Sequence, residues 1–152
     1  GKVRKDLGVK MDYNEFIDAW NNIFTLNTIV AEFIRRVRNS RRHRQAILSS
    51  TNPLHWGGMM NLFDLENLLE KDDIILTCDQ DIRAKKPTKK LWDASLARLG
   101  GEKEEFIYVD DVQKYVSGSE ALGIKSIHVD ITQPNFQERC VADVSKVLGI
   151  EL

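Results

Sequence analysis

From residue 46 onward, short apolar runs alternate with helix-length segments, and this alternation restricts the fold more than any other property of the chain. The runs are "AILS" at 46–49, "IILTC" at 74–78, "FIYV" at 106–109 and "SIHV" at 126–129. Between them lie Leu54 to Leu69, Thr88 to Leu99 and Gln113 to Leu122, and a last helical segment runs from Pro134 to Leu148. In Thr88 to Leu99 the apolar Leu91, Trp92, Leu96 and Leu99 keep helical spacing, and Gly100-Gly101 supplies the stop. Strands separated by helices predict an α/β fold, a parallel sheet covered by helices on both faces.

The first third reads as helical instead. Asp12 and Glu15 have capping-box spacing ahead of Phe16, Ile17, Trp20, Ile23 and Phe24, which share one helical face. A second helix carries Ile29, Val30, Phe33, Ile34 and Val37. It ends in "RRVRNSRRHR", six arginines in ten residues. Cations at a helix end meet the negative pole of its dipole. A nucleic-acid surface would add stacking aromatics to such a run, and here there is only His43. The run therefore reads as a solvated helix end, with nucleic-acid binding the minor alternative.

Composition sets outer limits. The 152 residues suit one domain with a real core. A net charge of -1 gives no global pull toward nucleic acid or anionic membrane. Cys78 and Cys140 match no metal-ligand spacing and read as reduced thiols of a cytoplasmic protein, Cys78 as a buried small hydrophobe. No apolar run approaches the roughly 20 residues that span a bilayer. The basic start is followed by no apolar stretch of signal-peptide type.

In parallel α/β sheets, active groups gather beyond the carboxyl ends of the strands. After the first run come Ser49, Ser50, Thr51 and Asn52. After the second comes "RAKKPT", with Lys85 and Lys86 before Pro87. After the third come Asp110 and Asp111. Two adjacent carboxylates repel, and a cation beside them relieves the repulsion. A hydroxyl, a lysine and a carboxylate pair together suit a tetrahedral phosphate and Mg2+.

These segments resemble the haloacid dehalogenase-like hydrolase superfamily in its phosphatase branch. "LSSTNPLH" is similar to the family's second motif, "KKPTKKLWDASLARLG" to its third and "VDDVQKYVSGSEALGI" to its fourth, over roughly residues 12 to 130. The resemblance implies a Rossmann-like core at 41–152 and, at 1–40, a partial helical cap with linker. It implies that Ser49, with the Ser50 backbone N–H, binds the transferring phosphoryl group, and that Lys86 neutralises it. It implies Mg2+ on Asp111, with Asp110 as ligand directly or through water. His55 stands where the family has a His, and a loop-anchoring role suits it better than catalysis.

One departure from the family dominates. Its first motif, Asp-x-Asp after a first strand, supplies the nucleophile and a general acid/base, and residues 1–48 offer no match. Asp79 and Asp81 have the spacing, but they follow the second motif and lack the usual Gly-Thr. Val112 and Tyr115 replace residue types common in the fourth motif. The family places the absent strand at the sheet's centre, so the expectation is a longer gene product or another segment filling that place. An unpaired sheet edge would otherwise invite self-association. The implied activity is Mg2+-dependent hydrolysis of small phosphorylated metabolites through an aspartyl-phosphate, with these 152 residues inactive by themselves. A dehalogenase, a non-catalytic relative keeping the pocket, and a receiver domain are the rivals. The last uses similar groups in the reverse order.

Overall fold

The computed structural model describes Gly8 and residues 10–151. Helix α1 (Tyr13–Asn21) starts with the capping box that the sequence predicts: Asp12 accepts from the Glu15 N–H, and Glu15 accepts from the Asp12 N–H. Helix α2 (Thr28–Ser40) follows and ends at Arg41, which adopts left-handed backbone. Strand β1 (Ile47–Ser49), helices α3 (Pro53–Phe63) and α4 (Leu65–Leu68), and strand β2 (Ile74–Leu76) come next. They are succeeded by α5 (Lys89–Leu99), β3 (Ile107–Asp110), α6 (Gln113–Glu120), β4 (Lys125–His128) and α7 (Phe136–Leu148).

The helical segment expected from Leu54 to Leu69 is broken at Asp64, whose φ of 53° ends α3 in the left-handed region. Aspartate tolerates that conformation better than most residues, and its side chain accepts from Asn67. The run at 74–78 is strand only as far as Leu76. Thr77 and Cys78 turn, which places Cys78 on the surface and corrects the expectation of burial.

Both strand pairs are parallel, as the alternation of runs and helices predicts. Ile47, Leu48 and Ser49 lie against Ile74, Ile75 and Leu76. Residues 107–110 lie against 125–128 in register. Among the described residues these are two two-stranded ribbons, β1 and β3 each having one partner. Leu48 ties the ribbons together. It packs against the cluster of Ile75, Ile82, Ala84 and Leu91 and also against the cluster of Trp92, Tyr108 and Ile124.

The helices cover this core in separate patches. Phe33 and Val37 of α2 meet Val141, Val144 and Leu148 of α7. Leu65, Leu68 and Leu69 gather Trp56, Met60 and Ile74. The arginine run is more tethered than a solvated helix end. Arg44 Nε donates to the buried Asp73 at 2.6 Å, and its Nη1 donates to the Leu99 carbonyl at 2.5 Å. Arg38 pairs with Glu70 at 3.5 Å, so the run fastens the end of α2 to the approach to β2.

Candidate active site

Helix α3 starts directly beyond β1 because Asn52 accepts from the N–H groups of Leu54 and His55, each at 3.0 Å, with Pro53 at the first helical position. Ser49 and Ser50 therefore stand between a strand end and a helix N-terminus, where backbone donors face outward. The His55 ring stacks on Trp20 at 5.2 Å and meets Phe24 edge-on. Its Nδ1 lies 3.3 Å from Asn21 Oδ1. These contacts dock α1 on the first turn of α3.

At the end of the other ribbon, Lys86 Nζ donates to Asp110 Oδ2 at 2.8 Å. The two side chains are 9% and 7% exposed, a buried ion pair joining a loop to a strand end. Tyr108 O–H donates to the same carboxylate oxygen, and the Val112 N–H donates to Oδ1 at 2.8 Å. Lys86 Nζ lies 5.5 Å from the ring centroids of both Tyr108 and Tyr115, within cation–π range. Burial pushes the Asp110 carboxyl up, but the bonds from Lys86, Tyr108 and Val112 outweigh it and hold the group below the usual carboxylate range. Burial, then the bond to Asp110 and its charge, pushes the Tyr108 phenol up, so it stays a donor.

Asp110 and Asp111, neighbours in the chain, thus have different surroundings. Both oxygens of Asp110 are engaged, whereas Asp111 is exposed. The backbone carbonyl of Asp111 lies 3.0 Å from His128 Nε2, which steadies the turn after β3. No three His, Cys, Asp or Glu side chains converge on a possible metal position among the described residues. Mg2+ commonly takes one or two carboxylates and completes its shell with water and substrate phosphate. Exposed Asp111, with Asp110 behind it, is compatible with that donor set.

Lys86 and Asp110 are in direct contact, and Asp111 adjoins them. No side-chain hydrogen bond joins Ser49 or Ser50 to these three among the described residues. Their link is indirect: Leu48, next to Ser49, packs in the cluster that contains Tyr108, whose hydroxyl binds Asp110. Asp79 and Asp81 stand apart, held by Arg98 Nη1 at 3.1 Å and Nη2 at 2.5 Å. Tyr108 escaped the sequence reading, although period-two alternation places it on the same strand face as Asp110.

The described residues thus form a parallel α/β protein with a buried lysine–carboxylate pair at one strand end and serine hydroxyls at another. The chain belongs to the haloacid dehalogenase-like hydrolase family, whose model matches residues 2–129. Solved structures share the fold. A protein from Corynebacterium glutamicum superposes with a TM-score of 0.64 at 16% identity, over 81% of this chain and 82% of that one. A HAD family enzyme from Bacteroides thetaiotaomicron, solved in complex with magnesium and inorganic phosphate, gives 0.71 at 20% identity, over 86% of this chain and 67% of that one. No described helix is long and apolar enough to cross a membrane.

Proposed function

We propose that this chain carries the phosphate pocket of a Mg2+-dependent phosphatase acting on small phosphorylated metabolites in the cytoplasm. The observation that carries the reading is the buried Lys86–Asp110 pair beside exposed Asp111 at the end of β3. An ammonium has three protons, and one bond to Asp110 leaves others for an incoming phosphate oxygen. Asp110 fixes the direction of Lys86, and Ser49 with the Ser50 N–H would hold a second phosphate oxygen. Asp111 would hold Mg2+, which when bound offsets charge on the phosphoryl oxygens. Halide displacement needs no such cation, so the Asp-Asp pair favours phosphate over haloacid.

Hydrolysis through an aspartyl-phosphate also needs an in-line carboxylate, and no third acidic side chain joins Asp110 and Asp111 among the described residues. This favours a second reading: a pocket that binds phosphate and Mg2+ without turnover. The expectation is that the protein hydrolyses p-nitrophenyl phosphate only with Mg2+, and that Asp111→Asn abolishes the metal response. Hydrolysis that ignores Mg2+, or none at all, would reject the phosphatase assignment. Calorimetric titration of this chain with phosphate and Mg2+ distinguishes an inactive pocket from no pocket.

A further inference from the structure

We propose that helix α6 is a positioning platform for Lys86, with Tyr115 and Gly118 as its two working positions. The inference rests on the reading of Lys86 as the phosphate-facing cation. Tyr115 and Gly118 are three residues apart and so lie on one helical face. That face meets the Lys86-Pro87 turn at two points. A Cβ at Gly118 would fall 2.4 Å from Pro87 Cβ and 2.5 Å from Pro87 Cγ, closer than side-chain atoms approach one another. Glycine is poorly suited to a helix interior, so its presence there has a steric reason: the helix touches the proline ring. One turn earlier, the Tyr115 ring lies 5.5 Å from Lys86 Nζ. Tyr108 matches that distance from the strand side, and Asp110 closes the enclosure.

The arrangement holds the lysine at both ends. Gly118 sets how near the backbone of the turn comes, and Tyr115 and Tyr108 limit where the ammonium can swing. Neither Tyr115 nor Gly118 touches a reacting atom; both act through Lys86.

The test uses the folded chain with two readouts. One is the acetylation rate of Lys86 relative to exposed Lys89, followed by peptide mass spectrometry. The other is calorimetric affinity for inorganic phosphate in the presence of Mg2+. Gly118→Ala and Tyr115→Leu should each raise relative Lys86 acetylation by about ten-fold, Tyr115→Phe should restore it, and Ser117→Ala on the exposed side should leave it unchanged. Both disruptive variants should weaken phosphate binding toward the level of Lys86→Gln. Unchanged acetylation in the folded variants overturns the proposal. If Gly118→Ala fails to fold by circular dichroism, Tyr115→Leu decides. Raised acetylation, with phosphate affinity indifferent even to Lys86→Gln, upholds the platform and overturns the phosphate reading beneath it.

Discussion

A carboxylate as buried as Asp110 needs its donors, which makes Lys86 a structural group as well as a chemical one. Lys86→Met leaves that charge without its partner, and breaking a buried pair from one side costs about 3–5 kcal/mol. The urea midpoint should fall accordingly. Acid should act on the same pair. Because the folded state holds Asp110 below the usual carboxylate range, its stabilisation is complete above the unfolded value and is lost as pH falls through the lowered one. Urea midpoints of wild type should therefore drop more steeply in that acid window than those of Asp110→Asn; parallel profiles would refute this assignment. The placement of Asp110 and Lys86 at one edge lay within reach of the letters, although their pairing did not. The Tyr108 hydroxyl did not, because a tyrosine in an apolar run reads first as packing.

At the level of elements, caps and breaks decide what forms. Asn52 satisfies two first-turn N–H groups of α3 and thereby fixes where that helix leaves β1. Asn52→Ala should cost about 1 kcal/mol in thermal or urea unfolding. It should also weaken phosphate binding if the Ser49–Ser50 turn is part of the pocket. The capping box of α1, the strand positions and the start of α5 could be read directly, because each is encoded by residues a few positions apart. The break at Asp64 could not, because a lone aspartate inside an apolar periodic stretch gives no local reason to stop a helix. The arginine run misled in a similar way. Its charges look solvated until Asp73 and the Leu99 carbonyl, distant in sequence, are brought beside Arg44.

Across the whole molecule, the two ribbons depend on a shared side chain. Leu48 belongs to both packed clusters, so removing it loosens the link between the hydroxyl cluster and the lysine–carboxylate pair. Leu48→Ala, at a partly buried site, should cost about 2–3 kcal/mol. It should also reduce phosphate affinity, whereas Leu62→Ala at an exposed position should change neither. Circular dichroism and tryptophan fluorescence should report one coincident transition in wild type, since Trp92 packs in the same cluster as Leu48. Separate transitions would show that the ribbons unfold independently.

The amino-acid order by itself determined the alternation of strands and helices, the parallel pairing of the strands, and the residue types waiting at each strand end. Those are consequences of side-chain period and local capping, which act over a few residues. Only the tertiary structure decided that Asp110 is occupied by Lys86, Tyr108 and a backbone N–H while Asp111 faces outward. It also decided that Gly118 meets Pro87 and that Arg98 claims Asp79 and Asp81. Such choices depend on which distant groups share a desolvated space, and short-range pattern carries no information about that.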